Sequence, residues 1–120
     1  MGLAQLNRYD AIIACRRANA AWYDKNLERR KDWIFPPIRK GATYSHYVAW
    51  VPERKSVLQE WAAKGVHLGE LIQYSIPLLP EYAKQCSSDC PRSTQASLNT
   101  INFPVTELTK RLEKVVVPCQ

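Results

Sequence analysis

The chain has 120 residues, 46% of them hydrophobic and 23% charged, with 17 Lys and Arg against 11 Asp and Glu for a formal net charge of +6. Those values fit one globular domain, large enough to bury about two thirds of its unfolded surface, and no apolar run reaches the length of a membrane span. The positive balance favours an anionic partner, but the cations fall in scattered pairs, Arg16-Arg17, Arg29-Arg30, Arg39-Lys40 and Arg54-Lys55, as on a solvated surface.

From residue 3 to residue 30 there is neither Pro nor Gly. Leu6, Tyr9, Ile13, Ala20, Tyr23 and Leu27 recur at spacings of three, four and seven, the mark of one helical face, and Ile12, Cys15 and Trp22 widen it. A single helix over that stretch would be about 40 Å long, more than a small domain spans, so part of it is expected to project or to pack on something else. The alternative is a break near Asn19 into two packed helices. Arg8 and Asp10 interrupt any leader-like run at the N-terminus, and a cytoplasmic location with reduced thiols is the expectation.

Pro36, Pro37 and Gly41 mark a loop, after which Thr43 to Val51 reads as a strand stopped by Pro52. Both faces of that strand are largely apolar, which predicts cover on both sides. His46 has no companion ligands nearby and reads as a core or rim histidine. Glu53 to Lys64 is a second helix with Val57, Leu58, Trp61 and Ala62 on one face and Gly65 as its left-handed stop. Val66 to Ile76 reads as extended chain, with Gly69 permitting a bulge or a close backbone approach. Pro77 and Pro80 then hold a short non-helical segment stiff. This rigid stretch, with Gln73, Tyr74, Ser75, Glu81 and Tyr82, either lines a binding site or forms a packed corner. Pro91 suits the first turn of a helix to about Asn99, Thr100 to Phe103 is a brief strand, and Thr106 can cap a last helix with Leu108, Leu112 and Val115 inward.

The chain carries no phosphate-cradling glycine loop and no nucleophile elbow, and its carboxylates are too dispersed for an acid–base pair. Cys15, Cys86, Cys90 and Cys119 make no zinc-ligand spacing with either histidine; Cys86 and Cys90, four apart, leave a disulfide or a metal pair as the alternative, but reduced thiols and no metal are the expectation. The aromatics are not interleaved with basic residues as in an RNA-binding surface.

Four segments in order nevertheless resemble the DegT–StrS class of pyridoxal-phosphate-dependent sugar aminotransferases. Gly2-Leu3-Ala4-Gln5-Leu6 with Asp10, Arg17, Ala20 and Tyr23 is similar to the long helix leading into that family's small C-terminal domain. Tyr47 to Arg54 resembles the strand and helix start that follow. Gly65-Val66 with Gln73-Tyr74-Ser75-Ile76-Pro77-Leu78 is similar to a signature bordering the sugar side of the active site, and Cys90-Pro91 through Asn102-Phe103-Pro104 to a block near the C-terminus. Gln73 stands where the family usually has a histidine, Trp50 replaces a frequent arginine, and Pro80-Glu81-Tyr82 arrives two residues early.

The resemblance implies an α+β fold of the fold-type I aminotransferase C-terminal domain. Its expected parts are a long helix over 3–30 and an α+β body over 41–117, with a small, mainly antiparallel sheet and flanking helices. It implies that Gln73, Tyr74, Ser75 and Tyr82 lie near a substrate pocket, as orienting or stacking groups and not as catalysts. Pyridoxal phosphate belongs to the full-length family, whose Schiff-base lysine, pyridinium partner and phosphate ligands lie in the large domain. The isolated chain is therefore expected to bind no cofactor and to be inactive alone. Expected partners are a second copy through Leu3, Leu6, Ile13, Trp22 and Leu27 of the N-terminal helix, and the large aminotransferase domain or another protein. A stand-alone interaction module is the rival reading, with a basic nucleic-acid binder behind it.

Overall fold

A computed structural model describes residues 5–70, 74–85 and 90–105 of the chain. The first long element is α1, Tyr9–Asn26, 18 residues with Asp10 in its first turn and Lys25 in its last, each charge placed to complement the helix dipole. It is about 27 Å long, shorter than the expected 3–30 helix. At the start, Asn7 and Arg8 form a turn between helical Gln5-Leu6 and α1. At the end, Leu27 turns to an extended backbone with ψ 133° while its N–H still reaches the Tyr23 carbonyl at 2.9 Å. That turn buries the Leu27 side chain in the core. It also brings Arg30 onto Glu60, at 2.8 and 3.0 Å, and over the Trp33 ring at 4.9 Å. Continuing the helix would forgo these contacts. No break occurs at Asn19, because its amide donates 2.8 Å to the Val105 carbonyl instead of competing for the helix backbone.

Strand β1, Tyr47–Trp50, pairs antiparallel with β2, Thr100–Phe103, in the register Tyr47↔Phe103, Val48↔Asn102, Ala49↔Ile101 and Trp50↔Thr100. Bridges from Ile34 to Trp50 and from Gly69 to Asn102 extend the pair on both sides, so four chain segments lie side by side. The strand is shorter than the expected Thr43 to Val51 because Tyr44 takes a left-handed backbone, φ 48°, which cannot continue a pleated ladder. Tyr47, Ala49, Val51, Ile101 and Phe103 are buried, whereas Val48, Trp50, Thr100 and Asn102 are half-buried. One face is thus sealed and the other is partly covered, not both closed as the apolar pattern suggested.

The sealed face is an aromatic cluster. The Phe103 ring centroid lies 5.3 Å from Tyr23, 5.3 Å from Trp61, 6.1 Å from Tyr47 and 6.5 Å from Trp33. Trp61 comes from α2, Arg54–Ala63, which buries Val57 and Trp61. The helix closes as its glycine implied: Gly65 (φ 79°) donates to Ala62 at 2.9 Å and Val66 donates back to Trp61 at 3.0 Å, a Schellman pair that returns Val66 to the core.

Two expectations are corrected beyond this point. A Cβ on Gly69 would meet only ordinary contacts, 3.6 Å from Asn102, so no close approach demands glycine there. The proline segment is not free of helix: Ile76–Leu78 is a 3-10 turn and α3, Pro80–Ala83, is one turn long, because each proline sits where its missing N–H is not needed and its fixed φ suits a first turn. Helix α4, Pro91–Asn99, starts at its proline as anticipated and runs directly into β2. The helix expected after Thr106 lies outside the described residues. Two hydrogen bonds lock the end of β2 to α1: Asn19 to Val105, and the Tyr23 hydroxyl to the Pro104 carbonyl at 2.6 Å.

Candidate functional site

The stretch from Gly69 to Tyr82 leaves the sheet edge at the Gly69–Asn102 bridge and is tied down at both ends of its described part. Near its start, the Glu70 carboxylate meets the Arg54 guanidinium at 3.1 Å, and Arg54 also donates to the Ser97 carbonyl near the end of α4. Further along, Ser75 is 2% exposed and its hydroxyl lies 2.9 Å from that of Ser93 on α4. Backbone bonds from Leu78 to Ser75 (2.9 Å), Leu79 to Ile76 (3.0 Å) and Tyr82 to Leu79 (3.0 Å) then wind the proline turns tightly. A frame fixed at these points holds its side chains in place without a core of its own.

What this frame presents is apolar and exposed: Tyr74 at 61%, Ile76 at 59%, Leu78 at 57% and Tyr82 at 49%. Four large apolar side chains thus stand exposed within nine residues. Tyr74 and Tyr82 are therefore available, as their sequence assignment requires. Ser75 is not: its hydroxyl is turned inward, so it positions the loop and cannot orient a ligand. Gln73 lies outside the described residues. Arg54 and Glu70, the clamp behind the loop, were not legible in the sequence, since two opposite charges sixteen positions apart carry no periodic signal.

The interface candidates divide as well. Leu6 is 66% exposed and Tyr9 beside it is exposed too, but Ile13 and Leu27 are buried within the chain, and Trp22 packs edge-on against Tyr23 at 5.6 Å. Their apolar faces are used by this domain's own core. Leu3 lies outside the described residues.

Two tyrosines have strongly raised pKa values. Burial alone raises Tyr23; burial first, then the 2.7 Å hydrogen bond to Asp24, raises Tyr47. Both are structural, since their hydroxyls are spent on Pro104 and Asp24. His46 is exposed, with Nδ1 3.2 Å from the Ser45 hydroxyl, so it is a surface residue and not a core one. Cys15 and Cys90 are free thiols, whereas Cys86 and Cys119 lie outside the described residues. Among the described residues no three His, Cys, Asp or Glu side chains gather as a metal site, and no helix is long and apolar enough to cross a membrane.

Comparison with known proteins agrees with this architecture. The sequence model of the DegT/DnrJ/EryC1/StrS aminotransferase family matches residues 1–118. Among solved structures, sugar aminotransferase CalS13 from Micromonospora echinospora superposes with a TM-score of 0.77 at 21% identity, over 96% of this chain and 32% of its own. DesV from S. venezuelae, solved in complex with a ketimine intermediate, gives 0.79 at 17% identity over 93% and 32%. DesI, solved in the presence of its TDP-sugar product, gives 0.75 at 17% identity over 98% and 34%. The chain thus spans about a third of the length of these structures. No curated protein matches it significantly in sequence.

Proposed function

This chain belongs to the DegT/DnrJ/EryC1/StrS aminotransferase family, and from that premise we propose that it is the substrate-side C-terminal domain of a sugar aminotransferase of nucleotide-sugar or aminosugar biosynthesis. It supplies binding surface and no reacting group. The observation that carries this reading is the loop from Tyr74 to Tyr82, clamped from behind through Ser75 and Ser93 and directing Tyr74, Ile76, Leu78 and Tyr82 outward. An aromatic ring held on a stiff turn is suited to stacking on a sugar or base, and pays little entropy when it does so.

We infer further that this chain does not itself hold pyridoxal phosphate, a reading supported by the exposure of its described lysines. A Schiff-base lysine needs a desolvated setting and an orienting partner. Lys25, Lys31, Lys40, Lys55, Lys64 and Lys84 are all exposed. The reading is therefore that the cofactor is held by the large domain and that this polypeptide alone does not transaminate. Adding pyridoxal phosphate is expected to give no aldimine band in the visible range; a stoichiometric, borohydride-trapped adduct on one lysine overturns this.

For the substrate role, millimolar TDP-sugar is expected to shift the NMR resonances of Tyr74 and Tyr82. Shifts confined to other residues, or none, refute it.

A second reading, a module that binds another copy of itself or another protein, draws on Leu6 and Tyr9, which stand exposed just before α1 and at its first residue. It predicts an oligomer that Leu6→Asp shifts toward monomer. A lone 13.8 kDa species at high micromolar concentration by light scattering removes it.

A further inference from the structure

A groove of about 510 Å³ runs between α1 and the connection over residues 38–44, and none of the Tyr74–Tyr82 loop lines it. Four of its lining side chains are cations: Arg17 and Lys25 from the helix, Arg39 and Lys40 from the connection. Among the described residues none of these four is in an ion pair, whereas Arg29, Arg30, Arg54 and Lys64 each have a carboxylate partner. The groove's one carboxylate, Asp24, is already engaged, accepting from the Tyr47 hydroxyl at 2.7 Å and meeting Arg29 at 3.4 Å. Its charge is thus partly cancelled from behind, and the field in the groove is positive.

The walls are also set in advance. Arg17 donates from Nε to the Ala42 carbonyl at 2.9 Å and from Nη2 to that of Gly41 at 3.4 Å, which fixes the guanidinium and leaves further N–H donors free. Tyr44 holds φ 48°, a backbone that an aromatic residue rarely takes, and lines the groove from the far side. Strain of this kind persists where the surroundings over-determine it, and it clusters at ligand sites. Arg17 and Lys25 are eight residues apart on one helix, about 12 Å along its axis. One phosphate cannot bridge that distance, but several linked phosphates can.

We propose that this groove binds a ligand carrying linked phosphate groups, with Arg17, Lys25, Arg39 and Lys40 as its anion contacts and Tyr44 as its flat wall. Linear polyphosphate and the diphosphate arm of a nucleotide share that chemistry. The test is titration of the 120-residue chain with tripolyphosphate, a nucleoside diphosphate and inorganic phosphate, followed by NMR. Tripolyphosphate is expected to bind at least about tenfold more tightly than phosphate, as expected when several charges engage together, and to shift resonances of Arg17, Ala42 and Tyr44. A nucleoside diphosphate tighter than tripolyphosphate identifies a nucleotide, through Tyr44; the reverse order identifies a polyphosphate. Arg39→Gln with Lys40→Gln, neither of whose side chains makes a described hydrogen bond or ion pair, should weaken binding by about tenfold or more. Lys55→Gln with Arg92→Gln, exposed cations outside the groove, should leave it unchanged. Equal loss in both pairs means unspecific charge attraction and overturns the proposal, as does a set of shifts that avoids the groove.

Discussion

Tyr23 and Tyr47 are fully buried, each with its hydroxyl on an internal acceptor, whereas Tyr74 and Tyr82 stand about half or more exposed on a turn whose own serine faces inward. The same residue type thus does opposite work in two parts of one small domain. In the core, the tyrosine ring supplies contact area and its hydroxyl joins separate segments, Tyr23 to Pro104 and Tyr47 to Asp24. On the loop, the backbone is held by prolines and by the Ser75–Ser93 contact, so the rings are free of structural duty. The difference shows that in this domain rigidity, not burial, prepares the exposed surface: a side chain that holds nothing together can be aimed at something else.

Substitutions at the two regions should separate accordingly. Phe103→Ala strikes the ring on which Tyr23, Tyr47, Trp33 and Trp61 converge and should cost about 3–5 kcal/mol in urea unfolding. A loss under 1 kcal/mol, about the level of a conservative change, would mean that the cluster is not the core. Tyr47→Phe removes only the hydrogen bond to Asp24 and should cost about 1 kcal/mol. Because Tyr23 and Tyr47 both have raised pKa values in the fold, their contribution is complete below the ordinary tyrosine value near pH 10 and is lost as the pH rises above it. The melting temperature should therefore fall between about pH 10 and 11, and less steeply in Tyr47→Phe. A profile flat to pH 11 would contradict the burial of both phenols.

The surface ion pairs of Glu60 with Arg30 and Lys64 are weaker. Hydrogen bonds from Arg30 first, then Lys64, hold the Glu60 carboxyl below its usual range. Its contribution is present above the ordinary glutamate value of about 4.3 and disappears as the pH falls through the folded value. The pair is about one third exposed, so Glu60→Gln should cost less than about 1 kcal/mol at pH 7 and nothing in strong acid. A difference that persists in acid would mean packing, not charge, sets the effect. Smallest of all, Tyr74→Ser with Tyr82→Ser should move stability by no more than about 0.5 kcal/mol. A larger loss would erase the contrast between the two regions and make the loop part of the core.

Much of this fold could be read without coordinates. The 3.6-residue recurrence of Ile13, Ala20 and Tyr23, the glycine stop at Gly65, the proline start at Pro91 and the strand to Phe103 are local signals, and each is where it was expected. For the proline loop, the residues alone left a binding surface and a packed corner both open, and Tyr74 and Tyr82 stand exposed there. The errors fell where a distant partner decides. Leu27 and Ile13 looked free for an interface until the rest of the chain folded over them. Ser75 looked like a ligand donor until Ser93 came within 2.9 Å. The strand lost residues 43–46 because Tyr44 takes a left-handed φ, and no pattern of apolar side chains reports a φ.

Sequence alone determined where α1, α2, α4 and the two strands lie, because capping, proline geometry and hydrophobic period act within a few residues. Tertiary structure alone decided which faces were already used, that Arg54 and Glu70 meet behind the loop, and that Arg17, Lys25, Arg39 and Lys40 converge on one groove. The reason is physical: burial and charge pairing depend on distances through space, and chain order carries no measure of those until the helix, the sheet and their connections have closed on each other.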